Sequence, residues 1–171
     1  MVTAVALGLT LAFEPTEPGA MRRPTRAADQ LLLLGFVVWR IVFVSILFVI
    51  GTFGMFSWTE GRGPPLAEAR TLAVNTIVVM EIFYLFSVRF QHGPSLTWRG
   101  LLRTPAVLIG VGVVVLLQLA FTYAPTYQAL FDAKPVGLTD GLAVVGTGIA
   151  LLAILEIEKL VLRNREARTR S

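Results

Sequence analysis

No cysteine occurs in the 171-residue chain, so neither a disulfide framework nor a thiolate metal site can form within it. Histidine is nearly as scarce: His92 stands alone, which excludes a multi-histidine metal site. Charge is thin, with Asp, Glu, Lys and Arg at 15%, against ~25% in a soluble domain. A Gly-x-x-x-x-Gly-Lys-Ser/Thr phosphate loop is missing. The polar segments between apolar runs reach only about 20 residues, well short of the ~50 a nucleotide-binding domain needs. The net charge of +4 does not point to nucleic acid, because the basic residues lie mostly in loops between apolar runs rather than in one stripe. What is present in quantity is apolar: 55% of residues and a mean hydropathy of +0.72. These residues come in long unbroken runs, the mark of a chain whose solvent is lipid.

Four runs are long enough to cross a ~30 Å hydrocarbon core as helices. They cover 35–56, 66–88, 106–123 and 142–162. A fifth, 1–13, has roughly half the ~20 residues that a span requires. It lacks the positive flank and small-residue cleavage pattern of a signal peptide, so it reads as part of a helix in a fragment, or behind a start codon placed too late. Turn formers mark the connections: Gly61, Gly63, Pro64 and Pro65, then Gly93 and Pro94, then Pro125 and Pro135. Continuous apolar runs lack the alternation of a membrane barrel. The expected fold is therefore all-α, a polytopic membrane helix bundle of four full transmembrane helices plus a truncated N-terminal one.

Arginine and lysine give the expected orientation. Loop 14–30, loop 89–103 and the C-terminal end carry eleven, among them Arg22, Arg26, Arg99, Arg163 and Arg168; the alternate loops hold only Arg62, Arg70 and Lys134. The positive-inside rule puts the first set, and the C-terminus, in the cytoplasm of a multi-pass cell-membrane protein. Arg40, near the start of its run, is expected to snorkel to that face.

Few polar residues interrupt the spans. Glu81 lies deep in 66–88, where a carboxylate costs about 2.5–3.5 kcal/mol on insertion scales. Such a group is a cation or proton ligand, or a protonated acid bonded to a neighbouring helix. Ile77, Val78, Tyr84 and Leu85, at helical spacing from it, are expected on its stripe. Asn75, about 240° away round the helix, is expected to bond another helix. Gln118 and Thr122, four apart, share a face and are expected to do the same. Gly146, Ala150 and Ala153 form a small-residue face for close helix approach. Glu156 and Lys159 are spaced to pair at a helix end.

The segment Glu14-Pro15, Glu17-Pro18, Met21, Arg22, Arg23, Pro24 and Arg26 resembles the stretch after the sixth transmembrane helix of P-type cation-transporting ATPases of the calcium-pump type. Val79-Met80-Glu81, with Tyr84-Leu85-Phe86-Ser87 and Arg89 following, resembles bacterial pumps of this group. Leu155 to Lys159 with Arg163-Asn164 is similar to the end of the tenth pump helix. The resemblance covers nearly the whole chain and implies the C-terminal membrane domain, 1–171, of such a pump. It implies Glu81, in the eighth-helix position, as a cation ligand, and Thr3 as a second. It further implies ATP and magnesium for the complete pump, and as partners the bilayer, the remaining membrane helices, the cytoplasmic domains and the transported cation. One departure bears on the ion: Ala4 stands where the family has an aspartate beside the threonine, and losing that carboxylate weakens the case for calcium.

The phosphorylated Asp-Lys-Thr-Gly-Thr motif of these pumps is absent, so the chain alone is not expected to hydrolyse ATP. Two readings follow. One is the C-terminal transmembrane part of an ATP-driven cation pump, supplying support helices and a cation ligand. The other is a free-standing small membrane protein, or a degenerate pump remnant, that binds partners and transports nothing itself.

Overall fold

A computed structural model describes residues 32–89 and 105–169, together with Gly8. The expected N-terminal helix over 1–13 (Gly8 apart) and the loops 14–30 and 90–103 lie outside the described residues. Among the described residues from 32 on, five helices follow one another and no strand interrupts them: α1 Leu32–Glu60, α2 Leu66–Arg89, α3 Pro105–Tyr123, α4 Pro125–Phe131 and α5 Leu138–Thr169. Three contain stretches long and apolar enough to cross a membrane, Val37–Glu60, Leu66–Val88 and Leu138–Leu162. Counting α3 and α4 as one broken span makes four. The all-α helical bundle expected from the runs is thus the fold.

Each turn has a local cause. Gly63 takes a φ of 84°, open to a residue without Cβ. It closes the α1–α2 turn by donating to the Glu60 carbonyl at 3.0 Å. Pro125 has no N–H to extend the α3 hydrogen-bond ladder, but its fixed φ suits the first position of a new helix. The chain therefore breaks at Ala124, extended at φ −76° and ψ 127°, and α4 leaves at 73° to α3. Expected only as a turn-rich connection, 124–137 thus holds a helix. Asp132 ends α4 in the left-handed region, φ 52°, which a short polar side chain tolerates.

Around α2 the bundle is assembled. Helices α1 and α5 pack extensively on α2, α3 packs on it more lightly, and α3 and α5 barely touch each other. Val78 and Leu85 of α2 meet Val107 and Val114 of α3. Met80 joins Val44 of α1 and Leu151 and Leu155 of α5. Leu72 joins Met55, Val136 and Val144. Two glycines allow the closest approaches: a Cβ on Gly148 would lie 2.5 Å from the Phe83 ring, and one on Gly51 would lie 2.8 Å from Met80 Sδ. The small-residue face expected at Gly146, Ala150 and Ala153 does not carry the α2–α5 contact among the described residues. Those three are exposed, because α2 approaches α5 on the side where Gly148 points.

Candidate functional site

Five threonine hydroxyls within the helices are satisfied locally, while the buried Ser87 Oγ has no partner. Thr59, Thr71, Thr76, Thr122 and Thr147 each donate to the carbonyl four residues earlier at 2.8–3.0 Å. That local bond lets a threonine sit in an apolar helix without a partner from elsewhere. Glu81 has no such recourse, since its carboxylate cannot donate when ionised.

The direction of Glu81 follows from its neighbours at about 100° per residue. Met80 and Tyr84 point at α1, where Met80 meets Gly51 and Tyr84 sits edge-on to Phe48 with centroids 6.2 Å apart. Val79 and Phe83 point at α5 and Gly148. Val78, Ile82 and Leu85 point at α3. One face of α2 is left over. It carries Val74 and Ile77, 40% and 37% exposed, and Glu81 falls between them on the helical projection. Of the four residues expected on the Glu81 stripe, Val78 and Leu85 pack on α3 and Tyr84 on α1, while Ile77 is exposed. Glu81 itself is half-buried, and its Oε2 is buried without a hydrogen-bond partner. The bonded-acid alternative finds no neighbouring donor among the described residues.

Asn75 faces the other way, toward α3. Its Nδ2 donates to the Thr71 carbonyl at 2.8 Å and to Thr122 Oγ1 at 3.1 Å. Thr122 has one proton, which it gives to the Gln118 carbonyl at 2.9 Å, leaving its oxygen free to accept from Asn75. The interhelical bond expected of Asn75 and Thr122 is thus present, while Gln118 Nε2 is buried and unpartnered.

At the other end of the bundle Lys159 Nζ donates to Glu156 Oε1 at 2.8 Å and to the Ser87 carbonyl at 2.7 Å, tying α5 to α2. Arg40 Nε and Nη2, and both carboxylate oxygens of Glu158, are buried without hydrogen-bond partners. Across the bundle, Arg62 pairs with the buried Asp140 at 2.8 Å while stacking 4.2 Å over Trp58. Asp140 lies in the first turn of α5, where the helix dipole favours an anion. Spacing gave no signal for this pair, whose partners are 78 residues apart.

Thr3 lies outside the described residues. Among the described residues no three His, Asp or Glu side chains gather into a group that could hold a metal ion. One carboxylate is far from the six to eight oxygens that calcium takes.

The helices and the inward polar groups define a multi-pass helical membrane protein with a half-buried acid midway along its central helix. A family model described as "Cation transporting ATPase, C-terminus" matches residues 1–161. A "Probable cation-transporting ATPase F" of Mycobacterium tuberculosis is 40% identical over 96% of this chain and 18% of its own length. The "Cation-transporting ATPase pma1" of a Synechocystis species is 30% identical over 80% of this chain and 16% of its own. The "Calcium-transporting ATPase type 2C member 2" of Mus musculus is 28% identical over 88% and 16%. The chain belongs to the family of cation-transporting ATPase C-terminal regions. It spans less than a fifth of the length of the curated relatives it matches.

Proposed function

We propose that this chain is the C-terminal membrane portion of an ATP-driven cation pump, and that Glu81 supplies one oxygen ligand to the transported ion. The observation that carries the reading is the buried, unpartnered Oε2 of Glu81 midway along α2, beside the exposed Val74 and Ile77. An unpaired acid inside a span is turned toward a partner or an ion, and here the open face is where preceding helices would dock. Thr3, on the partial helix 1–13, is proposed as a second ligand, and the remaining oxygens come from helices that precede this chain in the relatives.

The support for a pump over a free-standing partner-binding protein is the match over 1–161 and the relatives named as cation-transporting ATPases. In this reading 1–171 is one membrane domain, with 1–13 a partial helix and the spans near 35–56, 66–88, 106–123 and 142–162. The eleven-to-three bias of basic residues puts the C-terminus and the Lys159 end in the cytoplasm, and the Arg62 end outside. The phosphorylated aspartate and the ATP and magnesium sites belong to the pump's cytoplasmic domains. The chain contributes helices that hold the ion path and leaves phosphoryl chemistry to those domains.

The test is turnover of the complete pump against cation concentration. Glu81→Gln keeps the side chain's shape and one carbonyl oxygen but removes the charge. It is expected to raise the half-activating cation concentration about tenfold or more, the equivalent of ~1.4 kcal/mol, with expression and membrane insertion preserved. Unchanged cation activation would remove Glu81 from the ion path.

A further inference from the structure

A cleft of about 300 Å³ opens between α3 and α5, the two helices that pack on α2 without packing on one another. Its floor is Val78 and Ile82 of α2, one wall is Val115 and Leu119, and the other is Val144 and Val145. Loop 132–137 roofs it at the Arg62 end. There the Tyr123 hydroxyl donates to the Val136 carbonyl at 2.9 Å, and the Lys134 amide donates to Thr71 Oγ1 at 3.0 Å. Four polar side chains line the cleft, Asn75, Gln118, Thr122 and Tyr123. Asn75 Nδ2 donates to Thr122 Oγ1, while Gln118 Nε2 is a buried donor without an acceptor.

This lining decides among occupants. At ~30 Å³ each, about ten waters would fill the volume, but each needs two to four polar partners, and Gln118 Nε2 is the one buried, unpartnered polar atom among the lining side chains. Even one turn of a partner helix, ~10–12 Å across and ~5.4 Å long, occupies more than the cleft's 300 Å³. The fitting ligand is a slender apolar chain with one acceptor oxygen near its outer end. Gln118 lies five residues inside Tyr123, about 7.5 Å at 1.5 Å per residue. Tyr123 marks the interfacial level where aromatic residues collect in membrane proteins. An acyl chain hanging from that interface runs past Gln118 toward Ile82.

We propose that the cleft seats one acyl chain of a phospholipid from the leaflet at the Arg62 end, with Gln118 Nε2 donating to that lipid's ester carbonyl oxygen. The lipid fills the gap that α3 and α5 leave and holds α3 against α2, where direct packing is lightest. The inference makes no use of Glu81 and stands whether or not that residue binds an ion.

Two variants test it. Gly141→Leu fills the α5 wall: Gly141 lines the cleft, and a Cβ there meets nothing within 4 Å. Gln118→Leu keeps the bulk and removes the donor. The full chain is reconstituted in vesicles of phosphatidylethanolamine and phosphatidylglycerol, extracted in mild detergent and weighed by native mass spectrometry, with helicity checked by circular dichroism. The wild type is expected to retain one phospholipid per chain and Gly141→Leu to lose it. Gln118→Leu is expected to retain it about tenfold less at equal detergent, as for the loss of one hydrogen bond in a buried site. If Gly141→Leu loses helicity, Gln118→Leu decides alone. A wild type that keeps its helicity and carries no phospholipid overturns the proposal. So does a free fatty acid or peptide in its place, or retention unchanged in the folded variants.

Discussion

Replacing Gly148 by alanine adds a single methyl group at the tightest helix contact in the bundle. Its Cβ would lie 2.5 Å and 2.8 Å from two carbons of the Phe83 ring and 2.8 Å from Val79 Cγ1. No carbon pair sits that close, so either the ring turns off its rotamer or α5 draws back from α2. Overpacking of this kind costs about 1–3 kcal/mol. The contact joins the two helices that share the largest interface in the bundle, so the loss should appear as lower resistance to unfolding in detergent. Gly146→Ala is the control: it lies two residues away on the same helix, and its Cβ would meet nothing within 4 Å. It should be at least as stable as the wild type, because alanine is favoured over glycine in a helix interior by ~0.5–1 kcal/mol. In a Phe83→Ala background the Gly148→Ala change should cost clearly less, because the clashing ring is gone; the double-mutant cycle isolates that coupling. Equal effects at Gly146 and Gly148, or no coupling to Phe83, would refute the packing described for α2 and α5.

Other outcomes follow from the same structure. Asn75→Leu should weaken the α2–α3 contact by about 0.6 kcal/mol, the mean for a hydrogen bond between membrane helices, read by the same unfolding assay. Single cysteines replacing Arg26, Arg99 and Arg168 in this cysteine-free chain should all react with an impermeant reagent from one side of sealed vesicles; reaction from opposite sides would contradict the proposed orientation. The purified chain should form no acid-stable phosphoenzyme with ATP, and detecting one would overturn the assignment of phosphoryl chemistry to other domains.

The apolar runs announced the helices because lipid demands an uninterrupted apolar cylinder, but they did not mark the helix ends. Hydrogen bonding continues past the apolar boundary, so α1 carries on through Ser57 to Glu60. Likewise α5 carries on beyond Leu162 to Thr169, through arginine, glutamate and alanine that favour helix. The bond of Asn75 to Thr122 was legible as a type of interaction because a polar amide in a span must find a partner. The residues flanking Glu81 were not. Spacing alone puts neighbours on both sides of a residue, and only the positions of α1, α3 and α5 reveal which side stays open. Gly148 was hidden for a similar reason: Gly146 and Gly148 look alike in the sequence, and the approach of Phe83 distinguishes them.

The central claim is that the open face of α2 presents Glu81 to a transported cation. Equilibrium binding of the cation to the complete pump, counted as ions bound per molecule across a concentration series, tests it most directly. Glu81→Gln should lose one bound ion, or bind it about tenfold more weakly, equivalent to ~1.4 kcal/mol. Glu156→Gln, which removes a charge at the far end of α5, should bind as the wild type does. A Glu81→Gln pump with unchanged stoichiometry and affinity would contradict the account.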